Sequence, residues 1–569
     1  MASLLKMLSY RRLAGLMVSI SLIAPAQAEA SIINARSVSL KDVTSALASA
    51  ADGDTVIIPA GIATWTGGLT ITKAITLQGS GIGNTIIKDA IRDNTKRLVH
   101  FTLVPGKASR LTGLEFQDGG SGGHNNGFMS ILGSNIDGRS MRIDHCKFVN
   151  LKQHIEFNTV RGVADHNTIL TNQNGFFTFN ESYYNGAKTP YGDASRSAPI
   201  HWGSSDFFFV EDNDYTGTSP NASNFVTDGY AGARFVVRHN NIIDGAIAEH
   251  GTDSSGRKRS SAAHEIYNNR FTQTTPRKGT SWGHVRGGVT ILHDNTLSGF
   301  GPQPSYPLTC FRMVWPFWYG ADGTNPWDIN RPGGPFFSGT AAEATGPPVK
   351  GLTTLTVSGN PNWTTDQWAG YTIKRTTNLG RSTSKAYFSE IKSNTANSLT
   401  YLPGYTSNLT LAAGDSFELW KVEQALDQAG VSGGQLLTIG IVAQPPSRPT
   451  PPRPGWNDQV ITPCYSWNNT REDGVHVNFG RTSLLYKEGV HYFNDTAMPG
   501  YTPYTYPHPL TTGLPPPEQM TRNAPENSQD DLGKKRQPWG GKKLDRKKAK
   551  KAKESPTNEM PDGQDNPGN

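Results

Sequence analysis

Cysteine is almost missing from this chain. Its three copies among 569 residues, Cys146, Cys310 and Cys464, include no CxxC pair. That argues against a disulfide scaffold and against a zinc site, and leaves room for one long-range disulfide at most. Charge is scarce too, at 18% of residues. Beyond the first thirty positions no apolar run is long enough to span a bilayer. What the sequence has instead is turn-formers, 61 Gly and 37 Pro, a balance that suits a turn-rich all-β chain better than a helical one.

The formal net charge of +7 misleads. Lys6, Arg11 and Arg12 precede an apolar run from Leu13 to Ile23, and Ala26-Gln27-Ala28 follows as a small-residue cleavage site. Residues 1–28 therefore read as a signal peptide. This predicts a secreted, periplasmic or cell-surface protein with no transmembrane span once the signal is removed. Toward the other end, Lys534 to Lys553 holds eleven Lys and Arg against one acid, Asp545. The remainder is mildly acidic, and no basic face in it suits nucleic acid. Residues 515–569 are polar, charged and Pro-rich, so a disordered basic tail is expected there, able to contact anionic surface polymers by charge alone.

Ser39, with Asp42 three residues on, marks a helix start. Val43, Ala46, Leu47 and Ala50 give that helix one apolar face, suited to covering the open end of a stack of strands. Short strands punctuated by Gly and Pro follow, in DTVIIPAG (from Asp54) and LTITKAITLQGSG (from Leu69). A repeat then emerges: an apolar residue, two free positions, Asn, one free position, and an apolar residue. It centres on Asn167, Asn213, Asn240, Asn269 and Asn295, with Cys146 in the same slot and Asn468 or Asn469 as a late copy. Spacings of 27, 29 and 26 residues between the later members match one coil of a β-solenoid. In a parallel stack each residue lies about 4.8 Å above its equivalent. Val210, Val237, Ile266 and Leu292 should form one inward row, and Tyr215, Ile242, Phe271 and Leu297 another. Stacked Asn amides can bond to one another and to the turn backbone.

This Asn ladder, with the DTVIIPAG opening, resembles that of the pectate-lyase-like proteins. The resemblance runs from about Asp54 to Pro302 and resumes near Trp456 to Asp495. It implies a right-handed parallel β-helix over residues 31–345, in a superfamily that holds lyases, hydrolases, esterases and binding proteins. Neither the RxPxxR-like arginine motif of pectate lyases nor the paired-Asp motif of polygalacturonases is present. Residues 349–422 lose the frame and read as a small inserted β module carrying Trp363, Trp368 and Trp420. Residues 423–514 read as a Pro-rich linker and a return to the end of the β-helix.

Counting back from the ladder, Trp202, Asp228, His250 and Arg286 are expected near one line on one outer face, with Asp253 and Arg259 in the longest turn above them. Two carboxylates, a His and several cations suit a uronate polysaccharide. Asp228 and Asp253 are candidate ligands for a Ca²⁺ that would neutralise the sugar carboxylate. His250 and Arg259 are candidate bases, and Arg286 is placed to hold the carboxylate. Glu265 breaks an apolar row and is expected to pair with Arg259 or Arg286, or to join the acidic set. Trp315, Trp318 and Tyr319 lie in a Gly/Pro-rich segment and could stack on sugar rings, as could Trp202. The leading expectation is a secreted lyase cleaving an acidic polysaccharide by β-elimination. A glycoside hydrolase on the same scaffold and a non-catalytic carbohydrate-binding or structural surface protein stay open.

Overall fold

The computed structural model describes residues 30–186, 188, 192–219, 224–250, 260–274, 281–309, 335–377, 388–402, 409–420, 462–481 and 486–512. The chain divides into two units, residues 1–520 and 521–569. The signal peptide and tail expected at 1–28 and 515–569, and Cys310, lie outside the described residues.

The repeat winds into a right-handed parallel β-helix. Three sheets of twelve, ten and six parallel strands run along it among the described residues. Phe208–Glu211 pairs with Arg234–Arg238, that strand with Ala263–Tyr267, and that in turn with Val289–His293. This register puts Val210, Val237, Ile266 and Leu292 in one buried inward row. Tyr215, Ile242, Phe271 and Leu297 form the second, in the ten-stranded sheet. Burying one such side chain contributes about 1.5–3 kcal/mol, so the repetition itself stabilises the stack.

The corner between these two sheets is the Asn ladder. From Asn167 through Asn213, Asn240, Asn269 and Asn295 to Asn469, each Nδ2 donates to the next Oδ1 at 2.8–3.0 Å. Asn469 takes the late slot. Cys146 occupies the first, and its backbone N–H donates to Asn167 Oδ1 at 3.0 Å. The residue before each slot is left-handed: His145, His166, Asp212, His239, Asn268, Asp294 and Asn468 have φ of 51–57°. Asn, Asp and His tolerate that region best, which explains the polar residue ahead of every ladder position. Cys146 and Cys464 are buried free thiols.

Helix α1 (Leu40–Ser49) opens the fold, with the Ser39 hydroxyl accepting from the Asp42 N–H and with Val43, Ala46 and Leu47 buried. The inserted module is an antiparallel sheet around its own core, in which Trp363 and Trp368 are buried beside Phe337. It takes in Phe337–Thr340, ahead of the boundary expected at 349, because that strand pairs with Ser416–Trp420. The chain then rejoins the β-helix: Cys464–Trp467 pairs in parallel with Val289–His293, and Thr470–Arg471 with Thr296–Ser298.

A strap over residues 498–512 runs back along the outside of the twelve-stranded sheet. Arg238 donates to the carbonyls of Tyr504 (2.7 Å) and Thr505 (2.9 Å), and Glu211 accepts from the His508 N–H at 2.8 Å. Arg238 and Glu211 also pair with each other at 2.6 Å across adjacent coils. Glu265 belongs to this strap rather than to Arg286, and Arg259, its other expected partner, lies outside the described residues. Its carboxylate accepts from Tyr501 Oη (2.6 Å) and from the Gly203 N–H (2.8 Å). Gly203, at φ 65°, is needed there, since a Cβ would lie 1.8 Å from the Thr502 carbonyl.

Candidate functional site

The six-stranded parallel sheet runs from Leu69–Ile71 to Thr227–Tyr230. Its inward positions are apolar over most of their length, as in Val99, Met129, Ile155 and Phe177. Side chains alternate along a strand, so the residue after each of these faces out. Register places Thr70, His100, Ser130, Glu156, Thr178 and Asp228 in one outward row.

Asp228 is the centre of this row. Its Oδ1 lies 2.6 Å from His250 Nδ1, and the two side chains stay 21% and 33% exposed. His250 belongs to the next coil, and its backbone N–H donates to the Gly229 carbonyl at 2.8 Å. Gly175, at φ 69°, lets Asp228 sit close: a Cβ there would lie 2.5 Å from the Asp228 Cβ. Burial raises the Asp228 carboxyl, but His250 and then Arg286 outweigh it and hold it below the usual carboxylate range. Burial pushes the His154 imidazole down to about 4; Asp228 opposes this and Arg97 adds to it.

Two strands along the row, Glu156 Oε1 accepts from Tyr230 Oη (3.2 Å) and Asn180 Nδ2 (3.2 Å), and Arg97 lies 3.9 Å from Oε2. Burial, then Glu156 and Asp228, push the Tyr230 phenol well above its ordinary range, so it remains a donor. His100 Nδ1 meets Ser130 Oγ at 2.6 Å at the far end. The face therefore mixes two carboxylates with two guanidinium groups, three imidazoles and a protonated phenol.

Of the residues expected from sequence, Asp228 and His250 meet directly, and Arg286 is close enough for its charge to act on Asp228. Asp253, Arg259, Trp315, Trp318 and Tyr319 lie outside the described residues. Trp202 is a correction. It packs on Phe207, with ring centroids 5.9 Å apart, in the apolar cluster outside the twelve-stranded sheet. Residues 181–206 leave the coil on a long excursion, so counting back from Asn213 loses register: Asp228 pairs with Thr178. Sequence reasoning missed Arg97, His100, His154, Glu156 and Tyr230. Aligning the triplets Val99-His100-Phe101, Met129-Ser130-Ile131, Ile155-Glu156-Phe157 and Phe177-Thr178-Phe179 would have found the row itself.

Two other chemistries fit poorly. Ser121, His124 and Asp89 cluster in the interior, but Ser121 Oγ (3.2 Å) and Asp89 Oδ2 (2.6 Å) both face His124 Nε2, while Nδ1 meets the Lys96 carbonyl. A nucleophilic triad needs the two partners on opposite ring nitrogens. Glu249 is buried, and its carboxyl accepts the N–H groups of Arg286 and Gly287. Burial pushes it well above the usual range, and its charge acts on the core residues Tyr306 and Cys464, so it faces inward. Among the described residues no group of three or more His, Cys, Asp or Glu could hold a metal ion. Asp228 Oδ1 is engaged by His250, and Asp253, the second calcium ligand expected from sequence, lies outside the described residues.

No family model matches the sequence, and no curated protein matches it. Among solved structures the chain is similar to the Dettilon tailspike protein (gp208), at 11% identity and a TM-score of 0.21, over 66% of this chain and 89% of that one. A likeness at that score says nothing about activity.

Proposed function

We propose that the outer face of the six-stranded sheet cleaves a uronate polysaccharide by β-elimination, as the resemblance to pectate-lyase-like proteins suggests. The observation that carries this reading is the 2.6 Å contact between Asp228 and His250 on an exposed face beside Arg286. With Nδ1–H held on the ionised Asp228, His250 presents Nε2 as the basic atom. That atom can take the proton α to the sugar carboxylate. The electron pair forms the ring double bond, the neighbouring glycosidic C–O bond breaks, and the leaving oxygen takes up a proton. Tyr230, kept protonated, is the donor within the same face. Arg97 and Arg286 supply the positive charge that lowers the acidity barrier of a uronate.

A hydrolytic reading has one observation in its favour. Glu156 and Asp228 flank Thr178 in one outward row, so two carboxylates share this face two strands apart. Inverting glycosidases separate their carboxyl groups by about 6.5–9.5 Å. Product analysis decides between the two. Uronate polymers incubated with the protein should yield new ultraviolet-absorbing double bonds in step with new reducing ends. Reducing ends without that absorbance would overturn elimination in favour of hydrolysis, and neither signal would favour a binding protein.

A further inference from the structure

A second concave region lies at the corner where the ten-stranded sheet turns into the six-stranded one. It is an open cleft of about 820 Å³ running across successive coils, with Asp118, Asn150, Lys152, Asn172 and Thr218 on its walls. Its two charged walls are already engaged. Lys152 Nζ donates to the Ser121 carbonyl at 2.6 Å, and Asp118 Oδ1 accepts the N–H groups of Gly120 (2.9 Å) and Ser121 (3.0 Å). Thr218 bridges to Asn150 Oδ1 at 3.3 Å, and Gln173 to Asn172 Oδ1 at 2.8 Å. The cleft thus offers mainly uncharged amides, each with a donor and an acceptor side by side.

One backbone feature marks the wall of this cleft. Gln153, which also lines the cleft, has φ 89° without being glycine. Such a conformation costs about 1–3 kcal/mol and persists where the surroundings demand it, often at binding sites. It sits one residue before His154 and three before Glu156, so the cleft adjoins the catalytic face through a single short segment.

We infer that this cleft binds the hydroxyl groups of neighbouring sugar units in the same polymer, through the amides of Gln153, Asn172 and Gln173. This rests on the reading of the six-stranded face as a polysaccharide site. An amide matches a pair of adjacent hydroxyls, donating to one and accepting from the other. The spacing of walls by one coil, about 4.8 Å, lets successive amides address successive sugars. The carboxylate chemistry stays on the sheet face, and the corner sets which chain lengths bind.

The test uses the full chain carrying His250→Gln, so that polymer binds without turnover, with affinity electrophoresis in gels containing polygalacturonate or alginate. Gln153→Gly and Gln173→Ala should each weaken polymer binding about tenfold. Gln153→Gly should do so with a melting temperature equal to or above that of its parent, because glycine relieves the left-handed backbone. In the chain with His250 restored, turnover of the shortest cleavable oligomer should be unchanged. Cleavage of polymer with unaltered affinity in both variants overturns this inference alone. If the parent binds neither polymer, the inference falls together with the reading on which it rests.

Discussion

Asp228 and His250 stand 22 residues apart, on successive coils, and meet at 2.6 Å on the outer face of the six-stranded parallel sheet. Neither coil holds the pair alone: the contact exists because the stack sets one turn on the next. Asp228→Asn should therefore abolish turnover through loss of imidazole orientation while leaving the fold intact. Circular dichroism and melting should match the parent, and kcat should fall by two orders of magnitude or more, as for a misoriented general base (about 10²–10⁴).

The Asn ladder predicts a stability effect remote from the site. Asn240 Nδ2 donates to the carbonyls of Val210 and Arg238, and Asn240 Oδ1 accepts from the Asn213 N–H. Asn240→Ala strands these buried groups, at about 1–3 kcal/mol for each left unpaired. Thermal unfolding should show a fall of several degrees. An unchanged melting temperature would show the ladder to be ornamental.

The strap should respond to pH. Burial pushes Glu265 from its ordinary 4.5 up to about 6, against Tyr501, Gly203 and Arg238, which favour the ionised form. A raised folded value means the native state holds the proton more tightly. The stabilisation is complete below about pH 4.5 and is lost as pH rises through 6. Glu265→Gln removes this dependence, so the parent should lose about 2 kcal/mol relative to that variant between pH 4 and 8. Denaturant titrations at several pH values measure the difference directly.

Arg238 ties Glu211 to the strap, with both side chains fully buried. Arg238→Met leaves a buried carboxylate without its partner, at about 3–5 kcal/mol, and frees the Tyr504 and Thr505 carbonyls. Amide exchange should accelerate over residues 498–512 first. Equal exchange there would mean that the strap's remaining contacts, among them Tyr501 on Glu265 and the His508 N–H on Glu211, hold it without Arg238.

The inserted module enters and leaves at neighbouring points, since the Phe336 N–H donates to the Leu419 carbonyl at 2.8 Å. Its core is also its own. Residues 335–420 expressed alone should give a cooperative thermal transition, and a gradual one would show that the module borrows stability from the β-helix.

The fold was legible because its signals are local and periodic. The ladder frame recurs at coil length, and the inward rows at Val210 and Tyr215 follow from strand alternation. Ser39 and Asp42 alone announced the first helix. The site was legible only in part. Asp228, His250 and Arg286 were found by counting back from the ladder, which works while turns stay short. The same count misplaced Trp202, because the excursion over residues 181–206 absorbs residues without advancing the stack. Glu265 stood out as an irregularity in an apolar row, yet its partner Tyr501 is 236 residues away, and no period links them. The strap has no repeat signature at all: it meets Arg238 through the carbonyls of Tyr504 and Thr505, Glu265 through Tyr501 Oη and Glu211 through the His508 N–H.

The most direct measurement is the product spectrum of a uronate polymer with the parent chain, Asp228→Asn and His250→Gln compared at equal folded concentration. The parent should generate ultraviolet absorbance from a new double bond in proportion to reducing ends, and both variants should generate neither. Undiminished absorbance in both variants would place the chemistry away from Asp228 and His250 and contradict the assignment of the six-stranded face.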